Sequence, residues 1–350
     1  MIKFKLVGAI VFILLLSCDD NKTEEIYVSD VKSELNDSTI VYPQLYEIEE
    51  LFAPAQFSLQ SNKGGLVITP RVPVSGYSLF YYLHEEIDTC CSQMKGLMKS
   101  GRGPGESGAI ISGTRTADSD TIVYYSIDTS RFYHYDQNLN LTKDPLVSVR
   151  DILITDRFTY SNGKYYSEAT FSDEEKILRI YDSTTKTTKT LIDKRIPRGF
   201  QPAARNNIAS ITSTPEHVLF ALVGEKEIFI LNNEDQVECK IILGENDPLP
   251  KPFKSVSNDD VKRSLQHIFK MEYYDGKLFV LMKSGLVVLN SNYDFIARFV
   301  FSDNNSENLD ISDFTVNDEM LYLRKGLSDL YRVDYYQLKS ALIQSQTVNK

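Results

Sequence analysis

The chain has no tryptophan, only four cysteines and only four histidines in 350 residues. These scarcities remove whole classes of chemistry. His84, His134, His217 and His267 are scattered, with no His-Glu-x-x-His metal motif and no Gly-x-Ser-x-Gly nucleophile turn. No histidine lies at zinc-ligand spacing from a cysteine, so no metal centre and no cofactor are expected. Cations are also in deficit: 38 Lys and Arg face 48 Asp and Glu, a formal charge of −10. Nucleic acid is therefore not an expected partner, because its binding needs clustered Lys and Arg to displace counterions. Long apolar runs are absent beyond the first twenty residues. The single one, Leu6 to Leu16, is too short to span a hydrocarbon core of about 30 Å as a helix.

That run nevertheless carries information. Lys3 and Lys5 precede it, and Ser17 and Cys18 follow it, the pattern of a secretory signal. Leu15-Leu16-Ser17-Cys18 also resembles the lipobox of bacterial lipoproteins. The resemblance implies that residues 1–17 are a lipoprotein signal peptide and that Cys18, lipidated on its sulfur, is the first residue of the mature chain. Without Lys3 and Lys5 the formal charge falls to about −12. Such a chain gains nothing from anionic lipid, so the acyl chains would have to hold it at the membrane. Cys90, Cys91 and Cys239 remain, an odd number in an exported protein. Neighbouring cysteines form only a strained ring, which leaves buried thiols or a link from Cys239 to one of the pair.

Residues 18–38 are acidic and polar, with too little apolar surface to offset their ordering entropy, and are expected to be a flexible tether. From residue 39 to about 345 the pattern changes to short strand-like runs rich in Val, Ile, Thr, Tyr and Phe. Examples are Thr121-Ile122-Val123-Tyr124-Tyr125, His217-Val218-Leu219-Phe220 and Lys277-Leu278-Phe279-Val280-Leu281. Turn signals such as Asn162-Gly163, Asp275-Gly276 and Asn317-Asp318 introduce several of them. Taking Ile122, Tyr165, Val218, Leu278 and Leu321 as equivalent gives steps of about 43, 53, 60 and 43 residues, the length of a propeller blade with insertions. One further unit, placed on Leu79, fits before them. The expected fold is all-β: a six-bladed β-propeller of four-stranded antiparallel blades with one short helical insert. Thr39-Ile40-Val41-Tyr42, before Pro43, is the expected closing strand. The helix is expected over Ser257 to Phe269, with Val261, Leu265, Ile268 and Phe269 on one apolar face. Residues 195–205 form a basic loop, and Ser183 to Thr190 read as a solvated turn with its strand.

The sharpest local signal is Gly101-Arg102-Gly103-Pro104-Gly105-Glu106. Its glycines allow close approach, and its amides beside Arg102 form either an anion-binding nest or a turn satisfied by Glu106 itself. It lacks the Gly-Lys-Ser/Thr ending of a P-loop. Together with the downstream Asp120 to Asp128 and Ser130 to Asp136, this loop resembles the TolB-like six-bladed β-propeller lipoproteins of Bacteroidota. The resemblance implies fold and anchoring and no catalytic residues; Asp19 and Asp20 resemble the surface-export signals of that phylum. Asp303 to Asp310 is rich in oxygen ligands but lacks the glycine and terminal glutamate of an EF-hand loop. The expected function is a ligand-binding or protein-interaction module for a protein, peptide or glycan. It is expected in the cell envelope, lipid-anchored at the outer membrane, with Arg102, Glu106, Arg198 and Arg205 near the binding face. The competing reading is a metal-assisted hydrolase or lyase at the channel mouth.

Overall fold

The computed structural model describes residues 24–27, 38–46, 57–62, 65–70, 72–83, 95–103, 106–108, 110–117, 121–142, 157–168, 176–193, 208–223, 225–244, 267–303, 307–326 and 329–339. Three short strands come first: β1 (Glu24–Tyr27), β2 (Thr39–Val41) and β3 (Gln44–Tyr46). Six antiparallel sheets then follow in chain order. Blade 1 is β4 (Phe57–Asn62), β5 (Gly65–Pro70), β6 (Tyr77–Leu83) and β7 (Lys95–Lys99). Blade 2 holds β8 (Ile110–Arg115), β9 (Ile122–Ser126) and β10 (Arg131–Tyr135). Blade 3 is β11 (Phe158–Ser161), β12 (Lys164–Glu168), β13 (Lys176–Asp182) and β14 (Thr187–Asp193). Blade 4 is β15 (Ile208–Ser213), β16 (Val218–Leu222), β17 (Glu227–Leu231) and β18 (Val237–Ile242). Blade 5 is β19 (Ile268–Tyr274), β20 (Lys277–Met282), β21 (Gly285–Leu289) and β22 (Phe295–Phe301). Blade 6 is β23 (Ile311–Val316), β24 (Met320–Lys325) and β25 (Asp329–Asp334), completed by β3.

The first strand of each blade packs against the first strands of its neighbours, and β23 returns to β4. The chain is a closed six-bladed propeller. Its apolar core is divided into six clusters, one at each blade-to-blade interface. The second strand of a blade explains how. In β20, Leu278, Val280 and Met282 face blade 4, while Phe279 and Leu281 face blade 6. In β16, Leu219 and Ala221 face blade 5, and Val218, Phe220 and Leu222 face blade 3. A strand covered on both faces needs apolar residues at every position, which is why these runs are continuous rather than alternating. Burial of this kind stabilises by about 25 cal/mol per Å² of apolar surface. Outer strands follow the opposite logic, and Thr187 to Lys189 of β14 are exposed.

Within each blade the strands alternate in direction. The turns after the first and third strands therefore open on one end of the ring, the lower face. The turns after the second strands and the connections between blades open on the other, the upper face. On the lower face Asn162-Gly163 and Asp275-Gly276 have positive φ at both positions, the two-residue hairpin geometry that matches strand twist.

Four sequence expectations are corrected. The strand that closes the ring is Gln44–Tyr46, antiparallel to β25, not Thr39 to Tyr42. Thr39–Val41 instead pairs parallel with β22 as a fifth strand of blade 5, and Pro43, which cannot donate, separates the two pairings. Leu79 lies on the third strand of blade 1, and Leu66 on β5 is the true counterpart of Ile122. The long connection between β6 and β7 stretches this unit and misplaces a count made backwards by a fixed step. Ile268 and Phe269 belong to β19, where their neighbours pair with β20; the expected helical residues 257–266 lie outside the described residues. A helix is found at 335–339. Finally, Glu24–Tyr27, inside the segment read as tether, pairs parallel with β18 as a fifth strand of blade 4. Cys18, Cys90 and Cys91 lie outside the described residues. Cys239, on β18, is buried between blades 4 and 5.

Candidate functional site

The first strands leave their inner backbone edges facing the axis with no further strand to pair with. Side chains from neighbouring blades take up those groups, which accounts for the polar residues in otherwise buried strands such as Ile208-Ala209-Ser210-Ile211-Thr212-Ser213. Asp313 Oδ2 accepts from the Leu59 amide at 3.1 Å, and Ser210 Oγ accepts from the Met271 amide at 2.8 Å. Gln60 Nε2 donates to the Gly113 carbonyl at 3.1 Å, and Ser61 Oγ to the Val316 carbonyl at 2.7 Å. Lys270 Nζ donates to the carbonyls of Leu59 and Phe314 at 2.9 and 2.5 Å and to Asp313 Oδ1 at 2.8 Å.

At the lower end of the channel one side chain joins four blades. Arg115, the last residue of β8 in blade 2, donates to Glu272 Oε1 of blade 5 at 2.8 Å. Blades 2 and 5 stand opposite each other in the ring, so this ion pair crosses the channel. The same guanidinium donates to the carbonyls of Val316 in blade 6 at 3.0 Å and of Ser61 in blade 1 at 3.5 Å. It also lies 4.3 Å from the Tyr274 ring centroid. Glu272 Oε1 additionally accepts from Thr315 Oγ1 at 3.1 Å. Both charged side chains are nearly buried, 6% and 11% exposed, so each depends on the other for compensation. Sequence reasoning missed this pair. The available signal was charge inside strand runs, Arg115 at the end of β8 and Lys270 and Glu272 within β19.

The glycine loop lies on the upper face between blades 1 and 2. Its nest is filled from within: Glu106 Oε2 accepts from the Gly103 amide at 2.9 Å, and the Glu106 amide donates to the Gly103 carbonyl at 3.0 Å. A Cβ at Gly101 or Gly103 would stand 2.1 or 2.8 Å from that carboxylate, which explains both glycines. Behind the loop, Tyr133 OH donates to the Glu106 carbonyl at 2.7 Å, and the Gly108 amide donates to Asp128 Oδ2 at 2.7 Å. Ser107 Oγ bonds Ser126 Oγ at 2.8 Å. Arg102 is left exposed at the tip. Arg198 and Arg205 lie outside the described residues, but the strands that bracket them, β14 and β15, meet at the same upper face. The structure thus turns Glu106 onto the Gly103 amide and leaves Arg102 exposed in the same loop.

Four of the described turns on the lower face share one device. Asp136, Asp182, Asn232 and Asn290 each end a third strand or directly follow it, and each accepts two amide hydrogen bonds from the turn that follows. Each turn also contains a residue with positive φ: Leu139, Lys186, Asp235 and Tyr293. An open depression of about 510 Å³ lies here, lined by Glu216, His217, Asn232, Asn233, Glu234 and Glu238. His217 Nδ1 lies 3.2 Å from Tyr293 OH. Asp235 is 1% exposed and gathers Lys164 and Lys189 at 2.7 and 2.6 Å and Tyr166 OH at 2.6 Å, clamping blade 3 to blade 4. Burial alone would raise its pKa; the bonds from Lys164, Lys189 and Tyr166 outweigh this and hold it below the usual carboxylate range. Asp303 Oδ1 is occupied by the Glu307 amide at 2.9 Å. Among the described residues no three His, Cys, Asp or Glu side chains are grouped so as to hold a metal ion.

Arg115→Met leaves Glu272 buried without its cation and is expected to cost about 3–5 kcal/mol in denaturant unfolding, much of it recovered in Arg115→Met with Glu272→Met. A double-variant loss equal to the sum of the Arg115→Met and Glu272→Met losses would mean that the two residues act independently. His134 Nε2 bonds Tyr165 OH at 2.7 Å, and burial lowers the imidazole pKa from 6.5 to about 4. Between those values the unfolded chain binds a proton that the folded chain refuses, so stability falls as pH drops from 6.5 towards 4. His134→Gln keeps a hydrogen-bonding group without titrating, and is expected to reduce that slope by up to about one proton. An unchanged slope would contradict the assignment.

No protein-family model and no curated protein sequence matches the chain. Solved structures resemble it in fold. A member of the DUF4221 family from Bacteroides vulgatus is 12% identical over 84% of this chain and 94% of its own, with a TM-score of 0.49. A catalytically inactive virginiamycin B lyase from Staphylococcus aureus, with quinupristin, is 11% identical over 83% and 98%, with a TM-score of 0.46. PorZ, described as an essential bacterial surface component of the type-IX secretion system of Porphyromonas gingivalis, is 10% identical over 83% of this chain, with a TM-score of 0.42. The chain spans 37% of PorZ. At these identities the likeness is one of architecture and assigns no function.

Proposed function

We propose that this chain is an envelope propeller of the TolB-like lipoprotein kind, exported by residues 1–17 and anchored through lipid on Cys18. It acts as a binding or scaffold module for a protein, peptide or glycan at the outer membrane. The observation that carries the reading is the occupied axis. Arg115, Glu272, Lys270 and Asp313 are committed to one another and to backbone groups of the inner strands. Among the described residues, Glu272 of blade 5 and Asp313 of blade 6 reach the axis and each is held by a cation, which favours a role as ties between blades. Recognition then falls to loops. On the lower face four turns repeat one compact geometry, whereas the blade-to-blade connections of the upper face differ in length and composition, the property of binding loops on a rigid scaffold. Arg102, in the loop that Glu106 holds through the Gly103 amide, sits among these connections, and Arg198 and Arg205 fall in the sequence of another of them.

Affinity isolation of the tagged protein from intact cells, repeated with Arg102→Ala, tests the binding face. Loss of specific partners with unchanged abundance of the bait is expected. Recovery of the same partners would make the glycine loop structural only. Incorporation of a labelled fatty acid tests the anchor: Cys18→Ser is expected to abolish labelling, and a labelled Cys18→Ser chain would refute it.

A further inference from the structure

The pairing of β1 with β18 has a consequence for how the propeller stands on its membrane. The strands are parallel, with Glu24 opposite Cys239 and Tyr27 opposite Ile242. β18 leaves the lower-face turn at Asn232 to Gln236 and climbs towards the upper face, so β1 climbs with it and the chain enters β1 from the lower face. Ile26 packs against the apolar cluster between blades 4 and 5, which fixes β1 to the ring by a side chain as well as by backbone pairing. Cys18 is six residues before Glu24. Even fully extended, six residues reach only about 20 Å, close to the length of one blade strand.

We infer that β1 orients the protein: the lower rim at blade 4 faces the lipid surface and the upper face, with Arg102, faces away from it. This rests on the lipid anchor at Cys18. The tether is then the few residues before Glu24 rather than the whole acidic segment, because Glu24–Tyr27 is already part of blade 4. For the upper face to meet the bilayer, the chain would have to double back along the full height of β18 at the limit of its reach. The rim nearest the membrane carries Glu216, Glu234 and Glu238. Against anionic lipid these acids repel, so the acyl chains and the direction of β1, not surface charge, set the orientation.

The test uses the lipidated protein in phosphatidylcholine vesicles containing an acceptor-labelled headgroup lipid. A donor dye is carried on a noncanonical residue at Asn233, on the lower turn of blade 4, or at Lys226, on its upper turn. Energy transfer is expected to be about twofold or more greater from position 233, given a separation near one strand length. Ile26→Pro, which breaks the pairing of β1, is expected to remain on the vesicles and to lose the difference. Equal or greater transfer from position 226, or a difference that survives Ile26→Pro, would overturn the orientation while leaving the anchor intact. Failure of the parent protein to float with the vesicles would overturn the anchor, and the orientation with it.

Discussion

In a closed ring of blades, each first strand turns one edge towards the axis, where its N–H and C=O groups have no strand to pair with. Six such edges share one narrow channel. Here the edges are satisfied by side chains that cross from neighbouring blades, and one residue, Arg115, reaches the blade on the opposite side. Its ion pair with Glu272 is not a source of large net stability, because both charges had to leave water. Its effect is to make the blades interdependent: displacing any of four strands leaves a buried charge or carbonyl uncompensated. The polar inner strands are thus a requirement of closure.

Outside the axis the same closure dictates an apolar layer. Each middle strand meets a neighbour on both faces, and the six interface clusters are built by the alternation of side chains to left and right. The outermost edges remain, and the N-terminal segment covers three of them in succession, on blades 4, 5 and 6. The first two additions are parallel and the third is antiparallel. Only the third completes a four-stranded blade, which ties the start of the chain to its end.

Much of this was legible in the sequence because a blade writes its second strand plainly. Ile122, Tyr165, Val218, Leu278 and Leu321 occupy equivalent places, and Asn162-Gly163 and Asp275-Gly276 form the expected turns. Where the spacing was stretched by a long connection, as before β7, the count slipped to Leu79. Gln44–Tyr46 was overlooked because three residues with no apolar alternation carry no strand signature; only pairing with β25 defines them. The glycine loop drew attention for a reason the structure explains, since Gly101 and Gly103 make room for Glu106. The axial pair was invisible for a different reason. Arg115 and Glu272, 157 positions apart, look like ordinary surface charges until topology brings their strands to opposite sides of one channel.

With the axial charges paired to one another and four lower-face turns built on one geometry, recognition is proposed to reside in the upper connections. Everything in that account depends on the inner edges being truly satisfied. Amide hydrogen exchange measures this directly at Leu59, Met271 and Phe314, whose N–H groups donate to the side chains of Asp313, Ser210 and Asp313. These three amides are expected to be protected nearly as well as those of β20 in the middle of a blade. Exchange as fast as in the exposed turn at residues 183–186, with β20 still protected, would show an open, hydrated channel and contradict the account.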